Sequence, residues 1–246
     1  RWDRSQVSRI VHETATGIVE RFGHIMAWDD QFMTPEYLEQ CCAAVHAAGA
    51  PLQTIFGFID GTVRPIARPI RRQELWYNGW KRTHAIKFQG VLIADRIVRI
   101  SGPHNGKRHD SRIFRESGLL ETLINHAHLP NGRRIQLYGD PAYGWNPLIT
   151  APFRSVRITD VQRMHNADMS AVRIAVEWCF GKVLALFAWV DFKKNQKLLL
   201  QPLGLYYKVA VLLTNCHTCI YGSQVVDLLR VDPPPLETYL RVANQS

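Results

Sequence analysis

Cysteine is scarce in this chain of 246 residues, which has only five. They stand at positions 41, 42, 179, 216 and 219. An odd number without dense, regular spacing is not typical of a small secreted domain held together by disulfides. The sequence therefore favours a reducing compartment, the cytosol or the nucleus.

Long apolar runs are also absent. The longest one, near the C-terminus, is interrupted by Gln201, Pro202, Lys208 and Asn215, and a membrane-spanning helix needs roughly 20 consecutive apolar residues. No signal-peptide pattern is visible at the N-terminus. The chain starts at Arg1 rather than at Met, so we expect it to be a fragment of a longer protein.

Acidic residues are outnumbered by basic ones. The chain has 30 Lys and Arg residues against 21 Asp and Glu residues, a formal net charge of +9. Such a surplus indicates a polyanionic partner, of which nucleic acid is the commonest, although a basic protein without such a partner is the alternative. The hydrophobic fraction of 46% is ordinary for a soluble domain with a buried core.

The order of the predicted elements indicates an α/β domain preceded by a helical segment. Apolar residues at helical spacing run to about residue 50, with Thr34 and Pro35 starting a second helix and Gly49 ending it. β-Branched and aromatic runs then predict strands at 53–59, 85–88, 91–100 and 135–138. Further helices are predicted at 110–128, 166–189 and 196–219, with an irregular stretch at 142–159. The predicted divisions are a helical segment (1–52), a central domain (53–222) and a loose C-terminal tail (223–246).

Three carboxylates stand out from their apolar surroundings. Asp60 follows the predicted strand 53–59, and Asp140 follows the predicted strand 135–138. Ligands of open α/β sheets collect at the carboxyl ends of strands. Glu177 interrupts an apolar helical stretch, so we expect it to be at least partly buried, which is costly for a carboxylate unless it is paired or binds a metal.

Converging carboxylates suit phosphodiester chemistry. Hard divalent cations such as Mg²⁺ prefer oxygen ligands, and two such ions can activate an attacking oxygen and stabilise a leaving one. Each acid also has a structural alternative. Asp60 and Asp140 could be turn residues, Glu177 could pair with Arg173 one helical turn earlier, and Asp110 could be a helix N-cap.

Four segments in this order make the sequence recognisable: Gly-Phe-Ile-Asp-Gly-Thr (57–62), Lys-Arg-His-Asp-Ser (107–111), Tyr-Gly-Asp-Pro-Ala-Tyr (138–143) and Val-Arg-Ile-Ala-Val-Glu-Trp-Cys-Phe-Gly (172–181). Together they resemble the DDE superfamily endonuclease domain of PIF/Harbinger transposases and their HARBI-type nuclease relatives. The resemblance runs from about Phe56 to Gly222. Pro-Ala in the third segment stands where relatives often carry Ser-Gly, but the acid is retained.

The resemblance implies an RNase H-like mixed sheet flanked by helices. It implies that Asp60, Asp140 and Glu177 form a catalytic triad that binds Mg²⁺ or Mn²⁺ and hydrolyses DNA phosphodiester bonds. Asp110 matches a recurrent acid of the family, and we include it among the catalytic and metal-binding residues. The alternatives are a domesticated DNA-binding or adaptor protein that does not cut, and a metal-dependent phosphatase or RNase on a related scaffold.

The resemblance also implies partners and a location. Family transposases usually work with a separate DNA-binding module, sometimes a second protein, and a homo-oligomer is a further expected assembly. The helical segment 1–52 is either a brace on the core, which we favour, or the remnant of such a module. We expect DNA as the partner, no membrane, and the nucleus as the location, with the cytoplasm as the alternative.

Basic residues with interleaved aromatic ones follow Asp60. Basic side chains suit phosphate contacts and aromatic rings suit base stacking, although a solvated basic loop is the alternative. The aromatic residues are Trp76, Tyr77 and Trp80. The predicted nucleic-acid-binding residues are Arg64, Arg68, Arg71, Arg72, Lys81, Arg82, Lys107, Arg108 and His109.

Overall fold

The structure of the protein is a computed structural model that describes residues 3–194, 196–198 and 200–241. Within these residues the chain forms several β-strands. They are β1 (Ile55–Pro65), β2 (Tyr77–Asn78), β3 (Thr83–Leu92), β4 (Ile97–Asn105), β5 (Gln136–Gly139) and β6 (Ile149–Thr150). All of them belong to one sheet.

The sheet is mixed, with β1 as its central strand. β1 pairs antiparallel with β3, which pairs antiparallel with β4 and with the short β2. On its other side β1 pairs parallel with β5, and β5 pairs parallel with β6. Three antiparallel strands followed by parallel ones agree with the RNase H-like sheet expected from the sequence.

Helices cover the sheet and connect its strands. The α-helices are α1 (Arg4–Phe22), α2 (Pro35–Ala47), α3 (Gln73–Trp76), α4 (Asp110–Glu116), α5 (Leu119–His126), α6 (Asp160–Leu186), α7 (Leu203–Tyr221), α8 (Gln224–Leu229) and α9 (Leu236–Leu240). α4 and α5 form the connection between β4 and β5. This long connection allows β5 to run parallel to β1, because a tight hairpin turn joins only antiparallel strands. No helix among the described residues is long and apolar enough to span a membrane.

The helical N-terminal segment packs on the rest of the fold. Thr34 caps α2 as predicted, since its Oγ1 accepts a hydrogen bond from the backbone N of Tyr37 at 3.3 Å. α2 lies against β1, and α1 lies against α7. This packing is what the brace interpretation of the segment expects.

The C-terminal residues are more ordered than the predicted loose tail. Residues 231–235 have no regular structure, but α8 precedes them and α9 follows. Tyr239 of α9 is buried, and its hydroxyl accepts a hydrogen bond from Asn215 Nδ2 at 2.9 Å. Arg241 forms an ion pair with Asp29 near the N-terminus. The expectation of a loose tail is therefore wrong for residues 236–241.

β1 is longer than the sequence predicted. The predicted strand ended at Ile59, with a turn at Asp60-Gly61-Thr62, but β1 continues through these residues to Pro65. Its second half pairs with β3 from Asp60 opposite Gly90 to Pro65 opposite Ala85. Tertiary pairing overrides the local turn preference here, since strand formation depends strongly on context.

Other boundaries differ for local reasons. β3 runs unbroken through Gln89 and Gly90, where a break between two strands was predicted. The predicted helix 110–128 is divided at Gly118, whose φ of 71° suits glycine. The irregular stretch 142–159 contains β6, which the sequence did not reveal. α7 begins at Leu203 rather than near 196, directly after Pro202.

Candidate active site

Asp60 and Asp140 follow paired positions of two neighbouring parallel strands. Ile59 of β1 is paired with Gly139, the last residue of β5, and each aspartate is the next residue along the chain. Neighbouring strands are about 4.8 Å apart, so the two carboxylates start from adjacent backbone positions. The sequence prediction that both acids follow apolar strands and converge is consistent with this register.

Local hydrogen bonds fix the Asp140 turn. Asp140 caps the 3₁₀ helix Pro141–Tyr143, and its Oδ1 accepts from the backbone N of Ala142 at 2.6 Å. A Cβ on Gly139 would lie 2.8 Å from the Tyr143 ring and 2.9 Å from the Ile59 side chain. The glycine before the acid therefore permits close packing of the turn against β1.

Asp110 brings a third carboxylate to the same place. It is the first residue of α4, and its neighbour His109 is the N-cap, so the capping alternative for Asp110 is wrong. A Cβ on Gly61 would lie 2.5 Å from Asp110 Oδ1, which places this carboxylate directly over β1. Lys87 of β3 forms an ion pair with the same oxygen at 2.6 Å.

Gln89 connects the segments that carry Asp110 and Asp140 through two hydrogen bonds. This buried side chain on β3 donates from Nε2 to the backbone oxygen of Asp110 at 3.2 Å and to the Tyr143 hydroxyl at 3.1 Å. Sequence reasoning missed both Gln89 and Lys87. Their signal was two polar residues at alternate positions of an apolar strand, which places both side chains on one face.

Burial has the largest effect on the pKa of Asp60. Burial raises the pKa of Asp60 to about 6, and the negative charges of Asp140 and Asp110 add to the increase. The guanidinium of Arg173 and the backbone N–H of Gly61 act in the opposite direction. A buried acid close to two others is a group that favours a cation beside it.

Arg173 supplies one such cation. It lies on α6 and its Nη2 donates to Asp60 Oδ2 at 2.9 Å. Glu177, four residues later on the same helix, is exposed. The expectation that Glu177 is partly buried is therefore wrong, because its apolar neighbours in sequence point to other sides of the helix.

A cavity of about 950 Å³ opens over the three aspartates. Asp60, Asp110 and Asp140 line it, but Glu177 lines a different cavity, beside Trp178 and Lys182. The basic residues that line the large cavity are Lys81, Lys87, Lys107, Arg108, His109 and Arg154. Cations around an acidic centre suit a phosphate-containing ligand.

The predicted nucleic-acid-binding residues therefore divide into two groups. Lys81, Lys107, Arg108 and His109 line the cavity. The others do not, namely Arg64, Arg68, Arg71, Arg72 and Arg82.

Arg64 in particular has partners within the chain. It forms an ion pair with Asp191 at 3.0 Å and donates to Thr62 Oγ1 at 2.9 Å, and its role as a phosphate contact stays a prediction. Lys87 and Arg154 were absent from the predicted set. Arg154 lies in the stretch 142–159 that was predicted to be irregular, where no periodic pattern marks a residue.

The donor atoms fit a hard cation in type. Asp60, Asp110 and Asp140 offer carboxylate oxygens, which Mg²⁺ and Mn²⁺ prefer, and they stand on rigid elements around one opening. In residues 3–194, 196–198 and 200–241, no group of three or more His, Cys, Asp or Glu side chains has the geometry of a metal site. Arg173 and Lys87 instead hold two of the three acids.

Comparison with protein families agrees with the mixed α/β fold. The family model described as a DDE superfamily endonuclease matches residues 59–215, more than half of the chain. The chain belongs to this family. The matched residues include all four predicted acids, and DDE endonucleases generally use divalent metals.

The match confirms the resemblance at the level of the DDE superfamily, while the Harbinger subtype stays a prediction. Searches of curated proteins and of solved structures gave no significant match. The roles of individual residues in this member of the DDE superfamily therefore have to be argued from the geometry given above.

Proposed function

We propose that this protein is a divalent-metal-dependent DNA endonuclease of the transposase type. The observation that carries the proposal is the position of Asp60 and Asp140, one residue beyond the paired Ile59 and Gly139 on parallel strands, in an open cavity with basic walls. Family membership supports a nuclease in general. The basic walls suit the phosphates of a nucleic acid rather than a neutral substrate.

Each side chain has a distinct task in this proposal. Asp60 and Asp140 would hold Mg²⁺ or Mn²⁺, with Asp110 as a further ligand or as the group that positions water. The metal would supply Lewis-acid activation of the scissile phosphodiester. Lys81, Lys107 and Arg108 contact the flanking phosphates and keep the backbone over the aspartates.

Glu177 can complete the triad only if α6 takes a different position, because its side chain here lines another cavity. Arg173 and Glu177 are one helical turn apart on α6. Arg173 is the cation that pairs with Asp60, and Glu177 is the acid that the family resemblance places at the site. We propose that a rotation or shift of α6 releases Arg173 towards a DNA phosphate and moves Glu177 towards Asp60. In this proposal the bound substrate favours that rearrangement by attracting the guanidinium.

The test is Mn²⁺-dependent nicking of supercoiled DNA. Asp60→Asn, Asp140→Asn and Glu177→Gln remove charge with little change of shape, and Glu121→Gln at an exposed position of α5 is the matched control. We expect the first two to abolish nicking and the control to retain it. Loss in Glu177→Gln supports the rearrangement of α6, and full activity excludes Glu177 from the triad.

A second candidate function is DNA binding without cleavage. It is favoured by the two ion pairs, Arg173 with Asp60 and Lys87 with Asp110, which already neutralise the acids. This candidate expects DNA binding that is independent of Mn²⁺ and no nicking by the wild-type protein. Nicking that disappears in both aspartate variants would contradict it.

The remaining features of the proposal follow from the family resemblance. We infer a Harbinger-type enzyme that works in the nucleus with a separate DNA-binding protein, and a homo-oligomer as a further assembly. The division into a brace (1–52), a nuclease domain (53–222) and a C-terminal segment (223–246) belongs to the same proposal. The packing of α1 on α7 and of α2 on β1 supports the brace.

A further inference from the structure

Trp80 is an aromatic side chain that the chain itself leaves uncovered. It lies in the turn between β2 and β3, it is 90% exposed, and it lines the cavity that contains the three aspartates. Burial of an indole is strongly favourable in water, because of its large apolar area. An exposed tryptophan that lines a cavity therefore indicates a ligand with a flat face that can cover the indole ring.

The turn that carries Trp80 is firmly held. Asn78 is buried, accepts from the backbone N of Lys81 at 2.8 Å through Oδ1, and donates from Nδ2 to the backbone oxygen of Gly106 at 2.9 Å. A Cβ on Gly106 would lie 2.5 Å from the backbone oxygens of Trp76 and Ala85, so the loop after β4 packs closely against the residues that flank β2 and the turn. The backbone that carries Trp80 is thus held in place, and only the side chain has to be ordered on binding.

The charges around Trp80 identify the chemistry of the partner. Lys81 is adjacent in sequence, and Lys107 and Arg108 stand on the same cavity wall. A polyanion with flat aromatic groups satisfies both the cations and the ring, and nucleic acid has both. Within a continuous duplex each base is stacked between its neighbours, so away from the duplex ends only an unpaired base can offer a face to Trp80.

We propose that Trp80 stacks on an unpaired base next to the phosphate that lies over Asp60 and Asp140. The substrate is then DNA with a locally unpaired strand, such as a mismatch, a bulge or a frayed end, rather than continuous duplex. This inference rests on the proposed endonuclease function, because it uses the same cavity. It adds a specificity that the carboxylates alone do not provide.

The experiment measures binding without cleavage. Fluorescence anisotropy in EDTA gives the Kd of the protein for a 30-base-pair duplex and for the same duplex with one unpaired thymine at its centre, at fixed salt. We expect the wild type to bind the second DNA about tenfold more tightly, the size of effect that stacking one base on an aromatic ring supplies. 5-Iodouracil at the unpaired position should crosslink to Trp80 on irradiation.

Three variants separate stacking from simple apolar contact. Trp80→Phe keeps a flat ring and should keep most of the preference, and Trp80→Leu should lose it. Ile70→Ala removes an apolar side chain that is 94% exposed and does not line the cavity, so it should change nothing. Thermal melting checks that all variants fold.

The possible outcomes are distinct. Equal affinity of the wild type for the two DNAs, or a preference that survives Trp80→Leu, overturns the stacking proposal. Plasmid nicking with Mn²⁺ by the same wild-type sample shows in that case that the endonuclease function stands without it. Absence of any DNA binding overturns both. A preference for the unpaired base with no nicking supports the stacking proposal and contradicts the endonuclease function.

Discussion

Arg173 of α6 donates to Asp60 of the central strand at 2.9 Å. Both side chains are partly buried, at 27% and 23% exposed, so the pair is less screened by water than a surface ion pair. The guanidinium stands beside the acid that the family resemblance assigns to the metal. In the proposed function, Arg173 and a metal ion would therefore compete for Asp60 unless the arginine moves.

The first prediction follows from this competition. Arg173→Gln removes the positive charge and should increase the affinity for Mn²⁺ by about tenfold, since a hydrogen bond between charged groups contributes about 1.5 kcal/mol or more. The concentration of free Mn²⁺, measured by electron paramagnetic resonance, gives the affinity directly. Arg163→Gln on the same helix is the control, because Arg163 pairs with the exposed Asp160. Weaker binding by Arg173→Gln would show that Arg173 supports the metal site instead of competing for it.

The second prediction concerns pH and metal affinity. Burial raises the pKa of Asp60 to about 6, and a metal binds only the deprotonated carboxylate. Mn²⁺ affinity should therefore increase as pH rises through about 6 and level off above about pH 7. Isothermal titration calorimetry at a series of pH values measures this. An affinity that is flat between pH 5 and pH 8 would exclude Asp60 as the titrating ligand.

The same raised pKa predicts a change in stability. Between the unfolded value of 3.8 and the folded value of about 6, the folded state holds a proton that the unfolded state has released. Stability from this group is thus present below pH 3.8 and is lost as pH rises through about 6. The unfolding free energy of the wild type minus that of Asp60→Asn should fall by about 2 kcal/mol between pH 4 and pH 8. Urea unfolding of both proteins at the two pH values gives this difference, and a rise would contradict the assigned shift.

The convergence of Asp60 and Asp140 could be predicted because it depends on local signals. Each acid follows an apolar run, and the carboxyl ends of parallel strands meet at one edge of a sheet. The continuation of β1 beyond Asp60 could not be predicted in this way. Glycine is typical of turns, but Gly61 lies within β1. There its lack of a side chain permits the close approach of Asp110.

The groups that hold the acids were not predictable from local sequence. Lys87 and Gln89 reach Asp110 only because β3 pairs with β1 in one particular register. Arg173 was considered only as a partner of Glu177, since the two are four residues apart. Its actual partner, Asp60, is 113 residues away in sequence, and no periodic pattern encodes such a contact.

Gly61 provides the third prediction. A Cβ at this position would lie 2.5 Å from Asp110 Oδ1, so Gly61→Ala should displace that carboxylate and weaken its ion pair with Lys87. We expect a loss of about 1–3 kcal/mol of stability, as for other substitutions that overpack a site, together with a decrease of nicking activity. Urea unfolding and the plasmid assay measure the two effects.

Gly17→Ala is the matched control for Gly61→Ala. A Cβ at Gly17 meets nothing within 4 Å, and this residue lies in α1. Alanine is favoured over glycine inside a helix by about 0.5–1 kcal/mol, so the control should be slightly more stable than the wild type. Equal effects of the two substitutions would contradict the close contact between Gly61 and Asp110.

The fourth prediction tests whether the C-terminal helix is part of the folded core. Tyr239 is buried against Asn215 and near Arg96, whose guanidinium lies 5.4 Å from the centre of its ring. Tyr239→Ala leaves a cavity of the size of an aromatic ring and removes one of the two acceptors of the Asn215 amide nitrogen, the other being the backbone oxygen of Ile97. The expected loss is about 3–5 kcal/mol in the free energy of unfolding, measured by urea unfolding.

Tyr221→Ala is the control for this substitution, because Tyr221 is a tyrosine that is 74% exposed at the end of α7. Exposed positions usually change stability by less than about 0.5 kcal/mol. Tyr239→Phe separates the two contributions at the buried position, since it keeps the ring and removes only the hydroxyl that accepts from Asn215. A loss of about 1 kcal/mol is expected for it. If Tyr239→Ala is as stable as the control, α9 does not contribute to the core, and the loose tail predicted from the sequence is the better description of residues 236–241.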